Sequence, residues 1–339
     1  MKKNNYQGAL QHPIGSDFDR NSTAADVLKN TNLTGKTVIV TGGHSGIGLA
    51  TTKALSEAGA TVIVGARDIE KAKTNLAGIV NTQAELLELT DPSSISAFAE
   101  KFLAFGRALD LLFNNAGIMW VPLWRDARGY ESQFSTNHLG HFQLTAKLWP
   151  ALKKANGARI INTSSWGHHA SDIDFNDPNF EHRLYDPMAA YGQAKTANIL
   201  FALELDTLGQ QYGIRSYSLH PGLILSTGLS RSVTLDTWQR LGTVDADGNP
   251  IHREFTGVKS AEQGASTQVW CATSPLLKDI GGVYCENNNI AVLDTNYDPK
   301  ANWTNDVAKI AGVLPEALDE QAAKNLWALS EKLTGVKFE

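Results

Sequence analysis

The sequence predicts an α/β fold: a single doubly wound, mostly parallel sheet with helices on both faces. Three observations predict it. The β-branched runs Thr37-Val-Ile-Val40 and Ala60-Thr-Val-Ile-Val-Gly65 lack polar alternation, as strands buried on both faces do. Helical patterns separate such runs, so strand and helix alternate along the chain. The first run ends in a glycine-rich turn, Thr41-Gly-Gly-His-Ser-Gly-Ile-Gly48, that opens a helix. The 339 residues, 42% hydrophobic and 19% charged, suffice for a sizeable core.

Bulk properties narrow the function. A net charge of −5 gives no basic excess for nucleic acid or an anionic membrane surface. No apolar run approaches the ~20 residues of a membrane helix. Met1-Lys-Lys-Asn-Asn5 has no hydrophobic stretch behind it, so no secretory signal is expected. Cys271 and Cys285 have no metal-ligand spacing and read as two reduced, packed thiols. These readings place the protein in the cytoplasm. No internal repeat or low-complexity tract stands out.

Taken in order, residues 1–34 form an N-terminal extension, polar and poorly ordered at its start. Ser22-Thr23-Ala-Ala-Asp-Val-Leu28 reads as a short helix with a hydroxyl N-cap. Residues 35–339 form the remaining domain. Its first helix runs from near Gly46 to Gly59, which suits a left-handed C-cap. Strand, glycine turn and helix together offer unpaired N–H groups to a pyrophosphate, the layout of a dinucleotide-binding unit. The second strand ends at Ala66-Arg67, where an acidic residue would bond a ribose 2′-hydroxyl. Ala66 offers none, and Arg67 can fork onto phosphate oxygens. Alternatively, Arg67 is a solvated helix-start residue paired with Asp68 or Glu70.

A helix is predicted over 68–80, a third strand over Ala84-Glu-Leu-Leu-Glu-Leu89, and a helix start at Asp91-Pro92. Leu109-Asp-Leu-Leu-Phe113 is the fourth strand, followed by Asn114-Asn-Ala-Gly117. Asn137 interrupts the helical pattern Phe134 to Phe142; a kink or a bound water would explain a residue so poor in helix interiors. Ala158-Arg-Ile-Ile-Asn-Thr163 is the fifth strand and leads into Ser164-Ser165. Residues 166–188, rich in Asp, Asn, Pro and His, read as a loop; His168 and His169 lack a third ligand, so no metal is expected.

Tyr191 and Lys195, at i and i+4, share one helix face. An ammonium there lowers a phenol pKa from ~10 towards the working pH. A phenol so tuned can pass a proton to or from a substrate oxygen, and a serine can hold that oxygen. Ile214-Arg-Ser-Tyr-Ser-Leu219 is the sixth strand, before His220-Pro-Gly222. Around 229–258 the residues Leu229, Val233, Leu235, Trp238 and Leu241 suggest a substrate lid whose helix turns apolar groups inward, with a turn at Asp245 to Pro250. Trp120 and Trp124 add to an apolar pocket. A helix over 260–273, a last edge strand at 281–285 and a C-terminal helix from Asp319 complete the chain.

The glycine spacing, Asn-Asn-Ala-Gly, Ser-Ser, Tyr-x-x-x-Lys and Pro-Gly, in that order, resemble the short-chain dehydrogenase/reductase family. Ser22 to Leu28, Leu33-Thr-Gly-Lys36 and Leu326-Trp-Ala-Leu-Ser330 resemble its retinol-dehydrogenase-like and WW-domain-oxidoreductase-like branch. The resemblance implies a Rossmann-type fold and hydride transfer between nicotinamide and a carbonyl or alcohol. It implies catalytic roles for Asn137 (relay water), Ser165 rather than Ser164, Tyr191 and Lys195. It implies cofactor contacts from Gly42, Ser45, Gly46, Ile47, Gly48 and Arg67, then from Asn115, Ala116 and Gly117. Further contacts are implied for Tyr191, Lys195, Pro221, Gly222, Ile224 and either Ser226 or Thr227, with Thr227 preferred. The family's adenine-facing Asp position holds Glu88 here. NADP(H) is expected over NAD(H), with a hydrophobic small-molecule substrate and room for a homo-oligomer. A dinucleotide-binding regulator without turnover and an extended-branch epimerase or dehydratase are the alternatives.

Overall fold

A computed structural model describes residues 4–229, 233–251, 258–297 and 311–339. Among these, eight strands form one sheet: β1 (Thr37–Thr41), β2 (Thr61–Ala66), β3 (Thr82–Leu86), β4 (Leu111–Asn114), β5 (Arg159–Thr163), β6 (Arg215–His220), β7 (Tyr284–Glu286) and β8 (Asn289–Ile290). They lie in the order β3-β2-β1-β4-β5-β6-β7-β8, all parallel except β7 with β8. The helices are α1 (Ala24–Leu28), α2 (Gly46–Glu57), α3 (Ile69–Leu76), α4 (Pro92–Ala104), α5 (Ser132–Phe134), α6 (Gly140–Lys154), α7 (Pro187–Gly209), α8 (Leu235–Arg240), α9 (Ala261–Thr273) and α10 (Glu320–Thr334). None of the described helices is long and apolar enough to cross a membrane.

The pleat sorts each strand into two cores. Val38 and Val40 pack with Leu55 of α2 and Val269 of α9, whereas Ile39 packs with Phe98 of α4, Leu148 of α6 and Leu203 of α7. Strand order reverses between β1 and β4, and the crevice at the strands' carboxyl ends opens there. This is the doubly wound α/β sheet expected.

Several boundaries differ from expectation. Gly78, at φ +84°, stops α3 at Leu76 rather than at residue 80. Strand β3 spans 82–86 rather than 84–89; Leu87, whose N–H still donates to the Ala66 carbonyl at 2.9 Å, lays its side chain over Gly65. A Cβ on Gly65 would lie 2.5 Å from the Leu87 side chain. The edge strand is β8, not β7: Asn287 and Asn288, both at positive φ, turn the chain back. From residue 4 on, the N-terminal segment is ordered into the fold. Asn5 and Gln11 are buried, and Gln11 Nε2 donates to the carbonyls of Tyr284 and Ala291. Thr23 caps α1 in a reciprocal box with Asp26. Cys271 and Cys285 are free and buried.

Candidate active site

The glycine turn is built for close approach. Gly42 and Gly46 take φ of +66° and +52°, and a Cβ on Gly48 would lie 2.4 Å from the Gly42 carbonyl oxygen. Ser45 sits at the N-cap of α2 without a side-chain cap bond, which leaves first-turn N–H groups for a ligand. Asn115 holds the neighbouring strand end: its Nδ2 donates to the Thr41 carbonyl at 2.9 Å. Thr41 Oγ1 accepts from the backbone N–H groups of Asn115 and Ala116, both at 2.9 Å, and meets His141 Nε2 at 2.9 Å. His141 in turn reaches the Asn137 carbonyl through Nδ1 at 3.0 Å. Thr41 is a hub that no local pattern announced, since its partners lie 74 to 100 residues away. An uncapped helix N-terminus beside a cradle with no room for side chains fits a pyrophosphate.

Helix α7 brings Tyr191 and Lys195 to the crevice. Ser165 and Tyr191 both flank Gly167: a Cβ there would lie 2.7 Å from the Tyr191 ring and 3.4 Å from Ser165 Oγ, and that Oγ accepts from the Gly167 N–H at 3.0 Å. Ser164 points elsewhere, donating to the Lys195 carbonyl at 2.8 Å. Lys195 Nζ lies 5.5 Å from the Tyr191 ring centroid and donates to the Thr163 carbonyl at 2.9 Å. A Cβ on Gly117 would lie 3.0 Å from Asn137 Oδ1 and 3.8 Å from Lys195 Nζ, so Asn137 and Lys195 flank Gly117. Asn137 itself sits in a π-helical turn, Ser135–Leu139, between α5 and α6. Its amide bonds both the N–H and the carbonyl of Ile118, at 2.9 and 3.0 Å.

The electrostatics correct one expectation. Burial pushes the Tyr191 phenol up to about 12, against the lowering effect of Ser165. Burial likewise pulls the Lys195 ammonium down to about 7. Burial outweighs ammonium tuning because Nζ is directed at Thr163 and not at the phenol oxygen.

A cleft open to solvent joins these groups. Ile47, Asn115, Gly117 and Thr227 line it at the glycine-turn end; Trp120, Trp238 and Leu241 line it elsewhere. Pro221, Gly222 and Ile224 form part of its wall. Thr227 packs on the turn, within 3.1 Å of where a Gly46 Cβ would be, whereas Ser226 lines a separate cavity with Arg20 and Lys259. The lid region differs from expectation in part. Trp238 and Leu241 face the cleft, but Leu235 is exposed and covers the turn at Gly248. Trp124 is 45% exposed and does not line the cleft. Of the expected lid, residues 230–232 and 252–257 fall outside the described residues.

Arg67 follows the last residue of β2. Its side chain is 77% exposed, and its Nε lies 3.7 Å from Glu88 Oε2. Glu88 thus turns towards Arg67 while also accepting from Thr90 N–H at 3.0 Å. The glycine turn has a second basic neighbour that its own sequence does not show. Burial, and then Lys71 on the first turn of α3, hold the His44 pKa below its usual range.

Known proteins share this architecture. The family profile described as short chain dehydrogenase matches residues 36–238. A "Probable oxidoreductase" from Streptomyces lividans is 40% identical over 304 residues, covering 87% of this chain and 96% of its own. "Retinol dehydrogenase 12" from Homo sapiens is 36% identical over 316 residues, covering 91% and 90%. A solved structure of an uncharacterised Mycobacterium paratuberculosis protein superposes with a TM-score of 0.69 at 31% identity, covering 94% of this chain and 99% of that one. The Pseudomonas aeruginosa RhlG/NADP active-site complex shares the fold, with a TM-score of 0.58 at 22% identity over 75% of this chain and 94% of that one. Sequence and structural matches that span the sheet, the glycine turn and the Tyr191 helix make this chain a member of the short-chain dehydrogenase family of oxidoreductases, on its retinol-dehydrogenase-like branch.

Proposed function

We propose that the protein is an NADP(H)-preferring oxidoreductase that reduces apolar carbonyl compounds to alcohols, with NAD(H) as a poorer cofactor. The observation that carries this reading is that Ser165, Tyr191 and Lys195 line one cleft together with the glycine-turn residue Ile47. When bound, a nicotinamide dinucleotide supplies the hydride from ring C4. The turn from Gly42 to Gly48, with Ser45 and Ile47, binds its pyrophosphate. Asn115, Ala116, Gly117, Pro221, Gly222, Ile224 and Thr227 orient the nicotinamide half.

The chain's own chemistry is proton transfer. Ser165 Oγ and Tyr191 Oη both donate to the substrate carbonyl oxygen and polarise it. As negative charge grows there, Tyr191 releases its proton to that oxygen as general acid. A phenol pushed up to about 12 remains protonated at neutral pH, the state needed for reduction. Lys195, when charged, stabilises the phenolate left behind and reaches the nicotinamide ribose. Asn137, fixed by Ile118, organises the water that reprotonates this site. Trp120, Trp238 and Leu241 exclude water and favour apolar substrates.

A panel of aldehydes, ketones and alcohols with both cofactors, followed by nicotinamide absorbance, tests the reading. Tyr191→Phe should lower turnover by a factor on the order of 10² to 10⁴ while leaving cofactor affinity nearly unchanged. Near-wild-type turnover in that variant would remove Tyr191 as the acid. No turnover of any carbonyl by wild type would favour a dinucleotide-binding regulator.

A further inference from the structure

We infer that Gln268 is a positioning residue for the cofactor: its side-chain amide fixes Asn115 behind the glycine turn and ties that cradle to the strand end that anchors Lys195. The inference deepens the oxidoreductase reading above and rests on it.

Gln268 lies on α9 and is fully buried. Its neighbours Ala265, Val269 and Ala272 belong to the apolar core, so an amide here stands where a hydrocarbon would pack. It reaches three elements. Nε2 donates to Asn115 Oδ1 at 3.2 Å and to Thr51 Oγ1 of α2 at 3.3 Å. Oε1 accepts from Thr163 Oγ1, at the end of β5, at 3.2 Å. Both ends of the amide are thus satisfied without solvent.

The direction of these bonds is set by backbone carbonyls, which can only accept. Asn115 Nδ2 donates to the Thr41 carbonyl at 2.9 Å, so the Asn115 oxygen must face Gln268. The Thr51 hydroxyl gives its proton to the Ile47 carbonyl at 3.0 Å, so towards Gln268 it can only accept. Both neighbours require an N–H, and the Gln268 oxygen is left to Thr163. A one-way chain results: Thr163 to Gln268, Gln268 to Asn115, Asn115 to Thr41.

Each end of this chain belongs to the site. The Thr163 carbonyl accepts from Lys195 Nζ at 2.9 Å. Asn115 lines the cleft, and its Nδ2 lies 2.6 Å from where a Gly48 Cβ would be and 3.5 Å from where a Gly42 Cβ would be. The Asn115 amide therefore backs the cradle directly. Without the Gln268 donor its buried oxygen has lost a partner, and an amide that turns to find another gives up the Thr41 carbonyl. Gln268 touches neither glycine; it acts through Asn115 and, on the helix side, through Thr51 and Ile47.

NADPH titrated into the protein and followed by nicotinamide fluorescence tests this. Gln268→Met keeps the bulk of the side chain and deletes the amide; it should raise the NADPH Kd by about tenfold, the weight of one buried hydrogen bond. Asn115→Ala removes the group through which Gln268 acts. In that background Gln268→Met should change Kd by no more than about twofold. A residue that only stabilises α9 would lower Tm and leave the affinity alone, or would weaken it by the same factor in both backgrounds. Either result overturns the inference. Should Gln268→Met not fold, Thr163→Val takes its place. It keeps the side-chain shape and removes the donor that orients Oε1, so Kd should rise, and an unchanged Kd overturns the inference. Should wild type bind NADH more tightly, the same proteins are titrated with NADH. Binding of neither dinucleotide sinks the oxidoreductase reading together with this one. Binding that is indifferent to Gln268 sinks this one alone.

Discussion

Arg67 is the residue expected to read a 2′-phosphate, and the structure shows a competitor for it. Glu88 stands 3.7 Å from the guanidinium Nε, so a 2′-phosphate would draw Arg67 away from an existing, solvent-screened partner. A charge-assisted contact to phosphate is worth about 1.5–3 kcal/mol, more than an exposed ion pair. NADPH should therefore win in wild type by roughly tenfold or more. Arg67→Ala should lose most of that preference and leave NADH use nearly unchanged; kcat/KM with each cofactor measures both. Equal weakening of both cofactors would show that Arg67 does not read the phosphate. Other residue-scale choices were beyond the sequence because side-chain direction is a tertiary property. Nothing local distinguishes Ser164 from Ser165, yet one donates to the Lys195 carbonyl and the other sits with the Tyr191 ring beside Gly167. Trp124 looked as apolar as Trp120, but only Trp120, held at φ +52° with its N–H on Gln133, faces the cleft.

Elements were legible where one chemical signal sufficed. Asp91 before Pro92 marked the start of α4, and Ser260 with Gln263 forms the reciprocal cap of α9. They were less legible where a neighbour bears on the boundary: β3 is in register with β2, and the Leu87 side chain just past it covers Gly65. The Asn137 anomaly pointed to a break in helical geometry, and a π turn is there, with the Asn137 amide bonded to the Ile118 backbone far along the chain. The glycine turn yields a test at this scale. Gly48→Ala would place a methyl 2.4 Å from the Gly42 carbonyl, backbone against backbone, with Asn115 Nδ2 only 2.6 Å away. The strain should cost about 1–3 kcal/mol of stability and open the cradle. Thermal melts and an NADPH titration should both register it. A variant with unchanged Tm and affinity would mean that close approach here has no role.

Across the whole molecule the fold class was readable because strand and helix periods alternate and glycine punctuates them. The network of buried histidines was not, since burial of a polar ring depends on what packs over it. Four of them, His138, His141, His168 and His220, are fully enclosed. Burial lowers His138 to about 3 and His141 to about 4, and the other two fall well below the usual range. In the unfolded chain each takes a proton near pH ~6.5. Between about 6.5 and 4 the unfolded state binds more protons, so stability falls as pH falls through that window. Raised carboxyl pKa values at Glu131, Asp206 and Glu286 act in the opposite sense. Comparing His138→Phe with wild type isolates the histidine contribution. The decline of Tm between pH ~7 and ~5 should be shallower in the variant. Parallel declines would contradict the assignment.

The segment at 5–11 meets residues 282–291 as a mortise meets a tenon, and this has a kinetic meaning. Gln11 satisfies carbonyls 273 and 280 residues away, while the Asn5 amide reaches Gly282 across 277. Contacts so distant in sequence close the largest loops a chain can form, and they reward the search only at its end. During synthesis the β7 side of the sheet must wait, its polar backbone unanswered, until residue 291 has emerged. The half built on β1 to β4 has its partners much earlier. Translation should therefore leave a nascent chain with one finished flank and one exposed to chaperones, and folding would be sealed by a polar side chain near its beginning.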